Sequence, residues 1–402
     1  MAAGLAAWLW LMPGTLSELS AQSTGHKLRY ASFDLQNTKK PVARDQYAGD
    51  EVCGSCHRDK LESFFRTAHH LSSREATADS IAGTFAAGAN ILSTSNPGLR
   101  FRMEAKGGQF YETAIWGVAP DTTTQTAPID LVVGSGRKGQ TYLYWKGDRL
   151  FQLPVSYWVE VKQWVNSPGY EDGDANFDRP VVGRCLECHA SYAELLTDSQ
   201  LDNRYNKTSL VLGIACERCH GPGREHVARH QPDWAGNAAE AIVNPAKLGR
   251  DRQVEVCAQC HAGMRYPIAA AFSYVPGQPL DEYLDPDRSD PNAQIDVHGG
   301  QVALLKKSRC YQSAAMTCST CHDVHQPQRD AAAFSGRCLS CHKMQDCGLF
   351  SKAGARIAGG CVGCHMPVQE SKAIVSDSRG ERIRARVRTH WIKVYRPGGA
   401  GE

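Results

Sequence analysis

A five-residue motif, Cys-x-x-Cys-His, constrains this chain more than any other feature of its sequence. It occurs seven times, at residues 53–57, 185–189, 216–220, 257–261, 318–322, 338–342 and 361–365, numbered one to seven below. With 16 Cys and 15 His among 402 residues, a random order would produce about 0.02 copies. The motif is the attachment signal for c-type haem: two cysteine thioethers tether the porphyrin, and the adjacent histidine then lies directly below the iron.

Seven motifs predict seven covalently bound haem c groups. Zinc ribbons and thioredoxin-type thiol pairs are the alternatives, but neither requires a histidine directly after every second cysteine. The predicted attachment residues are Cys53, Cys56, Cys185, Cys188, Cys216, Cys219, Cys257, Cys260, Cys318, Cys321, Cys338, Cys341, Cys361 and Cys364. The predicted proximal iron ligands are His57, His189, His220, His261, His322, His342 and His365.

The histidines outside the motifs are candidates for the second axial bond to iron. His325 follows His322 by three residues, so it cannot reach the opposite face of its own haem and would ligate a neighbouring one. The same argument applies to His226, and mostly bis-histidine ligation is favoured over methionine. The candidate distal ligands are His69, His70, His226, His298, His325 and His390, with His26 and His230 less favoured.

Two cysteines, Cys310 and Cys347, lie outside the motifs. Because covalent haem attachment implies an oxidising compartment, a disulfide between them is the favoured interpretation. A redox-active or haem-ligating thiolate is the alternative.

The sequence predicts a mainly α-helical and irregular fold, packed around cofactors, with a small antiparallel β insert. Residues 1–21 are expected to be a signal peptide, 22–95 an N-terminal segment with the first haem, 96–165 the β insert and 166–402 a six-haem domain. Helical apolar spacing is expected over residues 61–71. Two hairpins are predicted in the insert, around the turns at residues 106–108 and 146–148.

Two polar segments have more than one interpretation. Residues 134–139, Gly-Ser-Gly-Arg-Lys-Gly, precede a strand rather than a helix, so a turn is favoured over a phosphate-binding loop. Residues 382–391 alternate arginine with apolar side chains, which predicts a half-buried strand whose arginines could pair with haem propionates.

Cofactor chemistry also bears on charge and location. The formal net charge is +3, but each haem brings two propionates, so we expect an acidic holoprotein without affinity for nucleic acid. Thioether attachment predicts export to the periplasm or another extracytoplasmic compartment of a bacterium. The expected partners are redox proteins, with association with a membrane respiratory complex as a further possibility.

Several motifs resemble those of the multihaem cytochrome c554 family, whose haem packing is related to that of hydroxylamine oxidoreductase and pentahaem nitrite reductase. The resemblance is carried by residues 213–223 with His226, by residues 316–325 and by residues 361–367. It implies closely stacked, mostly bis-histidine haems that pass electrons in the periplasm. Cytochrome c554 itself has four haems, and the nitrite reductases have a lysine-ended motif that this chain lacks.

Two functions are compatible with these observations. Electron transfer through closely packed haems is favoured. The alternative is a multihaem oxidoreductase that reduces or oxidises a small nitrogen or sulfur compound at one haem with an open distal face. The sequence identifies no catalytic residue.

Overall fold

The computed structural model describes residues 39–197, 199, 201–230, 240–263, 265–286, 299–313 and 315–395. His26, His298 and the expected signal peptide lie outside the described residues. None of the described helices is long and apolar enough to cross a membrane.

Strands dominate the first half of the described chain. Alternating apolar residues bury one face of several of these strands, most clearly over Leu99–Lys106. The first ten strands are β1 (Ser73–Glu75), β2 (Ile91–Ser93), β3 (Leu99–Lys106), β4 (Gln109–Val118), β5 (Asp121–Pro128), β6 (Leu131–Val133), β7 (Gly139–Lys146), β8 (Arg149–Trp158), β9 (Gln163–Asn166) and β10 (Arg179–Pro180).

These ten strands form two antiparallel sheets that share one core. One sheet has the order β2-β3-β4-β5, and the other has β1-β6-β7-β8-β10 with β9 also paired to β8. Phe101 and Met103 from the first sheet and Tyr142 and Leu153 from the second are all fully buried in the same apolar cluster. The β3–β4 and β7–β8 pairs are the two predicted hairpins, which are therefore confirmed.

Two further strand pairs lie outside the β region. They are β11 (Ala190–Leu195) with β12 (Tyr205–Leu212), and β13 (Val368–Ser378) with β14 (Glu381–Arg388). The β14 strand confirms the strand predicted in the arginine-rich tail. Its Ala385 packs with Trp158 and Val165 of the larger sheet, so the tail folds back onto the β region.

Helices in the described chain are short, and most of them carry or adjoin a motif. A motif needs only about one turn of helix to present two cysteines and a histidine to a single haem. The helices are α1 (Asp50–Cys56), α2 (Arg58–Phe64), α3 (Gly183–Glu187), α4 (Glu217–His220), α5 (Arg224–Arg229), α6 (Arg250–His261), α7 (Gln301–Lys306), α8 (Arg309–Ser313), α9 (Ala331–Cys338), α10 (Phe350–Ala353) and α11 (Cys361–His365).

The predicted fold class is wrong. The part of the chain that the structure describes is 28% helix and 30% strand, with several antiparallel sheets, and is not mainly α-helical. Two physical reasons account for the difference: apart from α6, the motif helices are only about one to two turns long, and hairpins also occur between motifs two and three and after motif seven. The helix expected over residues 61–71 also ends early, at Phe64, so His69 and His70 lie in the turns that follow.

Candidate functional site: a histidine-lined cavity

One large cavity runs through the part of the chain that carries the motifs. It encloses 3390 Å³ and is lined by residues of all seven motifs, including every motif histidine and every motif cysteine except Cys56. An ordinary small-molecule pocket encloses about 300–1,000 Å³. The cavity is therefore large enough for several macrocycles rather than for one ligand.

Three pairs of imidazole rings face each other across this cavity. The ring centroids of His69 and His261 are 6.1 Å apart, and those of His220 and His325 are also 6.1 Å apart. The centroids of His322 and His390 are 6.4 Å apart. Each pair combines one motif histidine with one histidine from outside the motifs.

The spacing of these pairs fits an iron between two imidazoles. A histidine nitrogen binds a first-row metal at about 2.0–2.1 Å, so two nitrogens across one metal are about 4 Å apart and their ring centroids about 6 Å apart. All three pairs have this spacing, so the residues present fit covalently bound haem with two axial histidines.

Backbone carbonyl oxygens accept a hydrogen bond from the Nδ1 atom of three cavity histidines, which leaves the other ring nitrogen available to bind iron. His220 Nδ1 donates to Val243 O at 2.8 Å, and His390 Nδ1 donates to Arg388 O at 3.3 Å. His365 Nδ1 donates to Lys393 O at 2.9 Å. Metal-ligating histidines commonly donate their second ring N–H in this way, which orients the ring and leaves Nε2 free for the metal.

Burial favours the neutral form of five of the cavity histidines, which is the form that ligates a metal. Burial lowers the pKa of His69 to about 4 and the pKa of His390 to about 4. Burial also lowers the pKa values of His220, His261 and His322.

The structure distinguishes between the adjacent candidates His69 and His70. His69 lines the cavity and faces His261, whereas His70 does not line the cavity. The His70 ring instead stacks on Phe65, with 4.2 Å between centroids, and its Nδ1 lies 3.8 Å from an Asp50 carboxylate oxygen. Only His69 is therefore placed to face a motif histidine.

His226, a further candidate distal ligand, does not face a motif histidine. His226 lines the cavity and its Nδ1 donates to Glu240 O at 2.9 Å, but its ring neighbour is His230 rather than a motif histidine. Among the described residues, no histidine ring faces His57, His342 or His365 at the spacing of the three pairs.

Neighbouring motif cysteines show how the motifs follow one another in space. A hydrogen bond between the Cys53 and Cys216 thiols lowers the pKa of Cys53 and raises that of Cys216. A hydrogen bond between the Cys257 and Cys318 thiols likewise raises the pKa of Cys257 and lowers that of Cys318. Cys188 and Cys260 form a third such pair. These contacts join motif one to motif three, motif four to motif five, and motif two to motif four.

The later motifs continue this series. The Cys341 thiol contributes to raising the pKa of Cys321, and the Cys361 thiol contributes to raising that of Cys338, although burial is the largest cause in both cases. Motifs five, six and seven are therefore spatial neighbours in chain order. Sequence spacing alone indicated only that neighbouring haems are close.

Cys310 and Cys347 are not bridged in the structure, and the disulfide between them stays a prediction. Both line the cavity. The Cys310 side chain is near motifs five and six, since its charge would raise the pKa values of Cys321 and Cys338.

Three of the four tail arginines, Arg382, Arg384 and Arg388, bond to the protein itself, and Arg386 and Arg388 line the cavity. Arg382 bonds Asp377 at 3.0 Å, and Arg388 donates to Met366 O at 2.6 Å. A second cationic element was not predicted to contribute to the site: residues 134–139, interpreted as a turn, line the cavity with Arg137 and Lys138. The sequence signal for this element was the adjacent Arg137 and Lys138, which lie between two glycines.

Comparisons with known proteins agree with this site. The family model described as cytochrome c554 and c-prime matches residues 161–221, which contain motifs two and three. The C-type polyheme cytochrome OmcC of Geobacter sulfurreducens is 22% identical over 167 residues, which are 36% of this chain and 20% of that protein. The multiheme cytochrome MtrA of Shewanella baltica is 25% identical over 198 residues, 42% of this chain and 55% of that protein.

A solved structure extends the likeness to most of the fold. The crystal structure of the outer cell wall cytochrome OcwA matches with a TM-score of 0.50 and 18% identity, covering 87% of this chain and 80% of that chain. The alignments with the two curated relatives span one fifth and about half of their lengths. Together with the seven motifs, these matches lead to one conclusion: the chain is a multihaem c-type cytochrome, and covalently bound haem c is its cofactor.

Proposed function

We propose that this chain is a seven-haem electron-transfer cytochrome that works outside the cytoplasm. The observation that carries the proposal is the set of three histidine pairs, each with the spacing of two axial ligands across one iron. A bis-histidine haem supplies reversible one-electron chemistry at an iron without a free coordination position. Ligation of this kind suits electron transfer better than substrate binding.

The chain's own residues would position the electron path. His325 reaches from the segment after motif five to His220 of motif three, and His390 reaches from the tail to His322. Such crossed ligands hold neighbouring motifs together. The Cys219 thiol also contributes to raising the pKa of Cys257, so motif three lies near motif four. The cysteine contacts therefore support a path through motifs one, three, four, five, six and seven, with motif two joined at motif four.

An extracytoplasmic location and protein redox partners complete the proposal. Covalent haem attachment and the expected signal peptide support export, and one similar structure is that of an outer cell wall cytochrome. Donor and acceptor would be redox proteins, and a membrane respiratory complex is a candidate site of association.

A second function is favoured by a specific observation. His57, His342 and His365 have no described histidine ring opposite them at the axial spacing. An open distal position at one of them would allow a small nitrogen or sulfur compound to bind iron, as in a multihaem oxidoreductase.

Two measurements on the purified holoprotein test these functions. Mass spectrometry should give the polypeptide mass plus seven haems, and replacing Cys361 and Cys364 by serine should lower that count to six. Low-temperature EPR of the oxidised protein, with and without cyanide, should show only low-spin signals that cyanide does not change. A high-spin signal that shifts with cyanide would contradict the pure carrier and favour the oxidoreductase.

A further inference from the structure

The loop at residues 134–139 is built to bring an arginine into the haem cavity. It joins β6 to β7, and Gly134 and Gly136 have φ values of +111° and +77°. A Cβ atom at Gly134 would lie 2.4 Å from Gly139 O, so only glycine permits this tight turn. The turn leaves Arg137 among the residues that line the cavity.

The loop is anchored to the segment that carries His69. Gly134 N donates to Ser72 O at 2.7 Å, and Arg74 Nη2 donates to Gly134 O at 3.2 Å. In the adjoining strand pair, Ser73 lies opposite Val133. The backbone therefore ties the position of Arg137 to that of the segment that carries His69.

Arg137 has an unusual environment for a cation. Its Nη2 atom is buried and has no hydrogen-bond partner among the described residues. The neighbouring charge is another cation, Arg329, which lies four residues after His325 and also lines the cavity. A buried guanidinium N–H without an acceptor, next to a second cation, is a position that an anion would complete.

We propose that Arg137, assisted by Arg329, binds a carboxylate inside the cavity, and that this carboxylate is a propionate of the haem whose iron would be ligated by His69 and His261. The inference rests on the proposed function, because it requires haem at motif four. A planar guanidinium binds a carboxylate through two parallel hydrogen bonds, which suits a fixed propionate. The β region then has a role: it supplies the cation that sets the potential of an internal haem.

A free small carboxylate such as acetate would offer Arg137 the same chemistry. A haem propionate and a free carboxylate lead to different experimental results. A propionate is covalently part of the haem, so added acetate should not displace it. A free anion would enter and leave, so the redox behaviour of the protein would depend on the acetate concentration.

The test is a redox titration of the holoprotein, followed by EPR and visible absorption, for the wild type and the Arg137→Gln variant. Removing a cation beside a haem disfavours its reduced form. We therefore expect one midpoint potential to fall, with about a tenfold change in the oxidised-to-reduced ratio at fixed potential, or 59 mV for one electron. Arg137→Lys, which keeps the charge, should preserve most of the potential.

The matched control is Arg100→Gln, another arginine of the β region that does not line the cavity and donates to Gly117 O at 3.0 Å. It should leave every potential unchanged. Arg329→Gln should lower the same potential as Arg137→Gln, and adding sodium acetate to the wild type should change nothing.

Two results would overturn the inference. Either all potentials in Arg137→Gln match those of the wild type, or the wild-type potential varies with acetate and the variant abolishes that dependence. Haem counting by mass spectrometry on the same samples distinguishes a failure of the proposed function from a failure of the role proposed for Arg137. A missing motif-four haem would count against the proposed function, whereas a full complement with unchanged potentials would count against the role of Arg137 alone.

Discussion

The imidazole rings of His69 and His261 face each other across the cavity, with 6.1 Å between their centroids and 80° between their planes. They are 192 positions apart in the sequence, and His69 lies in a turn rather than on a motif helix. The backbone nevertheless ties this turn down, because Ile214 N donates to His69 O at 3.0 Å. A residue just before motif three therefore orients the proposed ligand for the haem of motif four.

Replacing His69 should open one iron, whereas replacing its neighbour should not. We expect His69→Ala to convert one low-spin ferric signal into a high-spin signal that shifts with cyanide, because one axial ligand is lost. His70→Ala is the matched control, since His70 does not line the cavity. EPR spectra of the two oxidised holoproteins check this assignment. The reverse result, with His70→Ala opening the iron, would contradict it.

A double replacement tests whether His325 serves a neighbouring haem. His325 faces His220, and His390 faces His322. His325→Ala and His390→Ala should therefore open different irons, so the double variant should show two high-spin haems by spin quantification. If His325 instead belonged to the haem of its own motif, the double variant would open only one.

Gly213→Ala should disturb the segment that holds His69. Gly213 has a φ of +69°, and an added Cβ atom would lie 2.1 Å from the backbone oxygen of His70. The strained conformation should cost about 1–3 kcal/mol, and the displaced turn should produce a partial high-spin signal. Gly107→Ala is the control, because Gly107 also has a positive φ of +61° but nothing lies within 4 Å of its added Cβ. It should destabilise the protein without altering the EPR spectrum.

The buried carboxyl of Glu112 should make the stability of the β region depend on pH. Burial raises its pKa well above the ordinary value of 4.5, although Val155 N donates to one carboxyl oxygen at 2.8 Å. Above pH 4.5 the unfolded chain releases this proton while the folded protein keeps it. The free energy of unfolding should therefore fall as pH rises, until the pH passes the raised pKa of the folded state.

Replacing Glu112 by glutamine should remove this dependence. Glutamine keeps an oxygen that can accept from Val155 N, but it does not ionise. Calorimetric unfolding of the holoprotein at pH 5 and pH 8 should show a smaller difference for Glu112→Gln than for the wild type. Glu171→Gln, at an exposed position of the same region, should behave as the wild type does. Equal slopes for all three proteins would exclude Glu112 as the source.

The sequence by itself determined the chemistry of this protein. Cys-x-x-Cys-His is a local motif, because the two thioethers and the proximal histidine act on one haem within five residues, and chance cannot produce seven copies. The two hairpins and the strand in the tail were also predictable, since their patterns of alternation and turn residues are local. The helical content was overestimated because a motif predicts a helix without indicating how short that helix is.

Only the tertiary structure decided which residues meet. His69 and His70 are adjacent and chemically identical, so no local pattern distinguishes the one that lines the cavity. The crossed pairing of His325 with His220 and the approach of Arg137 to His69 depend on contacts between distant segments. A second axial bond closes a long loop of chain across a haem, and the packing of both segments, rather than their spacing in the sequence, selects the partner.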